Sequence, residues 1–233
     1  MNRRRETAAL PEGDEKVAAV DAMFDRIAPR YELLNHVLTF GMDWGWRRKT
    51  VAALSLKPAS VVLDVGCGTG DLCRELEKGG YVPVGVDRSE GMLAVAKTRA
   101  ALVRGDACRL PFASQSVDGI VSGFSLRNFL SLDPFAEECA RVLRPGGRMA
   151  LLEVSAPRQK FLQAGHSIYF GRVVPVIGGL VSDKAAYRYL PKSVAYLPEE
   201  PELLALFRNA GFADVSKRAL STGIAQLIVG TRS

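Results

Sequence analysis

Two periods of apolar residues divide the chain. From residue 14 to 55 apolar positions recur every three or four, in "EKVAAVDAMFDRIA" and again in "DWGWRRKTVAAL", with Gly41 between them. That spacing predicts amphipathic helices. The period then shortens. "ASVVLDVG" (59–66) and "VPVGVD" (82–87) read as short buried strands, with "DLCRELEKGG" between them as a helix closed by glycines. "SEGMLAVAKTRA" follows as a helix with Ser89 as its N-cap. Strand patterns at 101–107, 116–123 and 146–155, with a helix over 133–143 and a Pro-Gly-Gly turn before the last, bring the core to five strands. Strands alternating with helices imply a parallel sheet. The chain closes with the helix "EPELLALFRNAG" and the strands "FADVSKRAL" and "GIAQLIVGT". With no crossover helix between them, these two strands should pair antiparallel.

Composition narrows the partners. The chain has 233 residues, 48% of them apolar, and a net charge of +6, half of which comes from Arg3, Arg4 and Arg5. Residues 1–13 read as a disordered basic tail. No basic stripe interleaved with aromatics occurs, so nucleic acid is not an expected partner. Cys67, Cys73, Cys108 and Cys139 are scattered, and the histidines are His36 and His166, which gives neither zinc-ligand spacing nor a disulfide framework. No metal is expected. The first thirty residues show no apolar leader core, and the longest strictly apolar run, "VVPVIGGLV" (173–181), is too short to span a bilayer. A cytoplasmic location is expected.

"VLDVGCGTGDL" places Gly66, Gly68 and Gly70 between a buried strand and a helix, where the backbone can approach a ligand closely. The dinucleotide fingerprint beginning at Gly66 requires glycine at 71, and the residue there is Asp71, a carboxylate where a pyrophosphate would sit. Asp87 ends the second strand as an acceptor for ribose hydroxyls, and Asp106 with Ala107 ends the third, offering an acceptor for the adenine amino group. Three successive strand ends thus suit an adenosine without phosphates.

With "DVGCGTG", "VGVD" and "GDACRLPF" in order, the chain resembles class I S-adenosylmethionine-dependent methyltransferases. "MFDRIAPRYELLNHVLTFGMDWGWRR" (23–48) and "RVLRPGGRMALLEVSAP" (141–157) resemble the two signature regions of the ubiquinone/menaquinone biosynthesis C-methyltransferases. The resemblance implies a Rossmann-like α/β fold with a seven-stranded, mostly parallel sheet and an antiparallel last strand. It makes 14–233 one methyltransferase domain, with 14–55 as a helical substrate cap and 157–198 as a helical insertion or lid. It implies methyl transfer from S-adenosylmethionine to a ring carbon of a polyprenylated quinol, without metal. Thr69, Asp87, Asp106 and Ala107 would contact the cofactor, with Asp64, Gly66, Gly68, Gly70, Met92 and Gly123 completing the expected set. Tyr31, Arg127 and Asn128 would face the quinol, Arg127 as a clamp on the developing phenolate. The alternative for Arg127 is an ion pair with a nearby acid such as Asp133.

The chain departs from the family pattern at three places. Glu32 stands where Asp is usual, Asp43 where His is usual, and the loop reads Gly123-Phe124-Ser125 where the family has Ser-Phe-Gly. These leave open another small hydroxylated or lipidic acceptor. A non-catalytic adenosine-ligand-binding protein and a nucleotide-dependent oxidoreductase are the remaining alternatives. The apolar insertion, flanked by Arg158, Lys160 and Arg172, either packs on the core or meets an isoprenoid tail at the inner face of a membrane. Peripheral membrane contact and a homodimer are therefore both open.

Overall fold

The computed structural model describes residues 13–155, 193 and 196–233. Helix α1 (Gly13–Leu38, with Pro29 inside it) and helix α2 (Met42–Leu54) are separated at Gly41, whose φ of 72° is left-handed. There follow β1 (Val61–Val65), α3 (Asp71–Lys78), β2 (Val82–Asp87), α4 (Glu90–Ala94), β3 (Ala101–Arg104) and β4 (Val117–Gly123). A single 3-10 turn (Leu126–Asn128) leads into α5 (Leu132–Val142) and β5 (Leu143–Val154). The described chain ends with α6 (Glu200–Asn209), β6 (Phe212–Leu220) and β7 (Ala225–Arg232). The expected tail, and the insertion at 157–198 apart from Ser193 and residues 196–198, lie outside the described residues, as does His166.

The seven strands form one sheet in the order β3-β2-β1-β4-β5-β7-β6. β1 to β5 are parallel, and β7 runs antiparallel to both β5 and β6. Side chains alternate across the sheet, so each strand feeds two cores. Leu63, Val65, Ile120, Leu151 and Ile228 pack with Phe135, Leu143 and Phe207, on the side of α5 and α6. Val62, Val121, Leu152 and Leu227 pack with Trp46, Leu54, Leu72 and Leu76, on the side of α2 and α3. Completely buried leucines such as Leu63 and Leu76 each gain roughly 1.5–3 kcal/mol on leaving water, enough to hold a strained rim in place. Crossovers move from β1 outward to β3 and from β4 outward to β5. The chain therefore changes direction between β1 and β4, and the crevice for a ligand opens there, beyond the carboxyl ends of the strands.

Three boundaries differ from the sequence pattern. β3 stops at Arg104, and Asp106 lies past its end in an isolated bridge to Arg109. The helix after β2 spans only Glu90–Ala94, although Ser89 does cap it by accepting from the Met92 N–H at 3.0 Å. The Pro-Gly-Gly segment is no turn between elements. Leu143 already pairs with Val117, and the ladder resumes at Arg148 opposite Gly119, so residues 144–147 bulge out within β5.

Candidate active site

A cavity lies over the carboxyl ends of β1 to β4, where ligands bind in doubly wound sheets. The loop after β1 forms its floor. Gly66 has φ of 72°, and a Cβ there would lie 2.5 Å from Oγ of Ser125, so only glycine fits. Gly68, at φ 53°, faces open space where a Cβ would project, which leaves room for a ligand against the backbone. Thr69 is buried on the cavity wall, and its Oγ1 has no hydrogen-bond partner among the described residues. A buried hydroxyl without a partner is costly unless a ligand or water satisfies it.

Beyond this loop lies the acidic wall expected from the sequence. Asp87 accepts the Gly68 N–H at 2.7 Å and the Ser89 N–H at 2.9 Å, which fixes its carboxylate at the rim. Burial pushes its pKa up, against backbone N–H groups of Ser89, Gly68 and Arg88 that pull it down. Asp106 accepts the Cys108 N–H at 2.8 Å and pairs with Arg88 at 2.9 Å, and Ala107 lies beside it. Asp87, Met92, Asp106, Ala107 and Gly123 all line the cavity.

Two members of the expected cofactor set sit behind the wall. Gly70 is the left-handed N-cap of α3, packed against Thr98. Asp64 is buried within β1, accepts the Cys73 thiol at 3.3 Å through Oδ2, and leaves Oδ1 without a partner. Burial pushes its carboxyl up to about 7.

The acceptor residues separate as well. Tyr31 and Asn128 line the cavity. Tyr31 stands edge-on to Phe24 with ring centroids 5.7 Å apart, and burial raises its phenol above the ordinary value, so at neutral pH it is a hydrogen-bond donor and not a base. Arg127 does not line the cavity. Its guanidinium pairs with the fully buried Glu153 of β5, and its Nε donates to Oγ of Ser193 at 3.1 Å. An ion pair does form, but with Glu153; Asp133 is exposed on α5. The partner is 26 residues away in sequence, which is why spacing gave no sign of it.

Other cavity residues were not legible in the sequence. α1 contributes Val20, Asp21 and Phe24, and is tied to the floor where Asp21 meets Arg88 at 2.8 Å and Asp25 accepts from Oγ of Ser89 at 2.5 Å. α2 contributes Arg47, buried and 2.9 Å from Oδ2 of Asp71. Asp71 also pairs with Arg74, so the carboxylate that the sequence set against a phosphate is balanced by two guanidinium groups. His36, without an assignable partner in the sequence, has Nδ1 2.7 Å from Oδ2 of Asp43, off the line of the ring N–H, and stacks on Trp44. Glu32, His36 and Asp71 lie close enough to share a cation. The Arg74 guanidinium already bridges the two carboxylates.

A model of the ubiE/COQ5 methyltransferase family matches residues 12–232. The chain is 41% identical over 236 residues to the demethylmenaquinone methyltransferase of Roseiflexus castenholzii, spanning 97% of this chain and 98% of that one. It is 39% identical over 230 residues to the ubiquinone/menaquinone biosynthesis C-methyltransferase UbiE of Geobacter sulfurreducens, spanning 94% of this chain and 90% of the relative. Among solved structures, Haemonchus contortus phosphoethanolamine N-methyltransferase 2 in complex with S-adenosyl-L-methionine shares the fold. Its TM-score is 0.60 at 16% identity, over 81% of this chain and 52% of that one.

Proposed function

Because the chain belongs to the ubiE/COQ5 methyltransferase family, we propose that its cavity holds S-adenosylmethionine and that it methylates a ring carbon of a polyprenylated quinol. The observation that carries the cofactor is the glycine floor. Gly68 leaves open space beneath a ligand, Thr69 presents an unpartnered buried hydroxyl, and Asp87 holds a carboxylate at the rim for a ribose. Asp106 and Ala107 take the base beyond it. The cofactor supplies an electrophilic methyl group on a sulfonium.

The protein's part is to make a ring carbon nucleophilic and to hold it. A quinol becomes electron-rich as a phenolic proton, with a pKa near 10 in water, is drawn off. Tyr31 donates a hydrogen bond to the acceptor oxygen, and Asn128 orients the ring from the opposite wall. Arg127 acts at one remove. Its buried pair with Glu153 and its contact to Ser193 hold the 3-10 turn that carries Asn128.

Calorimetry with S-adenosylhomocysteine and NAD tests the cofactor, with binding of the first alone expected. Methyl transfer to demethylmenaquinol and to a prenylated benzoquinol that lacks the ring methyl group tests the acceptor. Product from neither, with cofactor binding intact, would transfer the reading to another hydroxylated or lipidic acceptor. Gly123, one of the departures from the family pattern, lines the cavity, and Asp43 stands beside Arg47 of its wall, which is what favours this second reading.

A further inference from the structure

Arg47 and Arg88 are the arginines on the cavity wall. Arg88 is half exposed and engaged by Asp21 and Asp106. Arg47 is different. Its side chain is 6% exposed, its Nη2 lies 2.9 Å from Asp71, its Nε is 3.6 Å from Asp43, and its guanidinium lies over the Phe124 ring at 5.4 Å. Two carboxylates therefore stand along one side of the guanidinium. The remaining edge points elsewhere. Nη1 reaches within 3.7 Å of where a Cβ on Gly123 would be, at the end of β4 that lines the cavity. Nε has no aligned acceptor among the described residues.

A guanidinium carries five donors in a planar fork, and a buried one leaves them idle only at a cost. Asp43 is the acid beside the Nε of Arg47. It is fully buried, accepts from Oγ1 of Thr39 at 2.8 Å, and has His36 Nδ1 2.7 Å from its other oxygen. Asp43 cannot turn away from Arg47 without losing these contacts.

We propose that Arg47 is the donor that meets an anionic oxygen in this cavity, and that Asp43, held by His36 and Thr39, is the residue that positions it. The proposal rests on the methyltransferase reading and deepens it. In the sheet order β3-β2-β1-β4, Asp87 and Asp106 take the nucleoside on one side of the glycine loop, while Arg47 lies on the other, toward β4. Two anionic oxygens belong on that side: the carboxylate at the amino-acid end of the cofactor and the phenolate of the acceptor.

The test measures binding of S-adenosylhomocysteine and of 5′-methylthioadenosine, which lacks the amino-acid end, to the full chain and to Arg47→Gln, Arg47→Lys and Asp43→Asn. If the oxygen is the cofactor's carboxylate, Arg47→Gln weakens S-adenosylhomocysteine by about tenfold or more and leaves methylthioadenosine unchanged, the scale of one charged hydrogen bond. If it is the acceptor's, both nucleosides bind as before, and turnover at saturating cofactor falls by about tenfold or more. In either case Arg47→Lys recovers part of the loss and Asp43→Asn moves the same quantity in the same direction. Thermal midpoints identify unfolded variants, and Arg47→Lys, which keeps a charge beside Asp43 and Asp71, provides the folded comparison. Equal weakening of both nucleosides in folded variants, or no change in binding and turnover, overturns the proposal. Failure of the unmodified chain to bind either nucleoside overturns the methyltransferase reading instead.

Discussion

Asp64 and Arg127 are the residues whose surroundings depart furthest from what their neighbours in sequence suggest. Asp64 is raised from 3.8 to about 7 because burial disfavours its charge. In the unfolded chain it ionises near its ordinary value, so between about pH 4 and pH 7 the unfolded state binds fewer protons than the folded one. Stability attributable to this group therefore falls as pH rises through that window and levels off above it, by an amount on the order of a few kcal/mol. Denaturant titrations from pH 4 to pH 8 should show this slope, and Asp64→Asn should flatten it. At Arg127 the expected cost is of another kind. Arg127→Ala leaves Glu153 buried without its guanidinium and should destabilise the protein by about 3–5 kcal/mol. Replacing both members with apolar side chains of similar volume should recover most of that loss in the same denaturation experiment. A full loss in the double variant would mean that the contact to Ser193 matters more than the charge.

At the scale of elements, the relation between α1 and α4 decides the form of the cavity. α4 is five residues long, too short to be stable from its own hydrogen bonds. Two devices outside its ladder hold it. Ser89 caps its first turn, and Asp25 on α1 accepts from both Oγ of Ser89 and the Gly91 N–H at 3.1 Å. Met92, buried in α4, faces the cavity. Asp25→Ala should therefore weaken nucleoside binding severalfold with a stability loss of only about 1 kcal/mol, the scale of a lost cap. Amide hydrogen exchange should quicken over residues 89–94 before it does so in β1. Unchanged exchange there would show that α4 is held by packing alone. The helical patterning of 14–55 was plain in the sequence. That α1 would lie across α4 and supply Asp21 and Phe24 to the cavity was not, because helical periodicity identifies a buried face without naming what it meets; Tyr31 was named only through the family resemblance.

For the molecule as a whole, the site joins pieces from α1 through to the segment after β4. The glycine floor comes from β1, the acidic wall from β2 and β3, and the cap from α1 and α2. A ligand that touches all of these stabilises the whole fold by mass action. S-adenosylhomocysteine at about one hundred times its dissociation constant should add about 2.7 kcal/mol, seen as a rise in thermal midpoint that NAD at the same concentration does not produce. No helix among the described residues is long and apolar enough to cross a membrane. Phe129 and the half-exposed Leu130 line the cavity and give it apolar surface.

By itself the sequence determined most of the elements, the parallel core and the antiparallel closing strands, and it suggested a nucleoside site at three strand ends. Each of these follows from local patterns: alternation within a strand, glycines at positive φ, and a carboxylate at a strand end. What only the tertiary structure decided is which charges meet. Arg127 stands next to Asn128 in the chain, yet the Arg127 guanidinium goes to Glu153 while Asn128 lines the cavity. Arg47, one of two adjacent arginines in a helix, turns inward between Asp43 and Asp71. The physical reason is range. Periodicity and turn chemistry act over a few residues, whereas a buried charge is stabilised by whatever opposite charge the fold brings within about 4 Å, and for Arg127 with Glu153 and Arg47 with Asp71 that partner comes from another element.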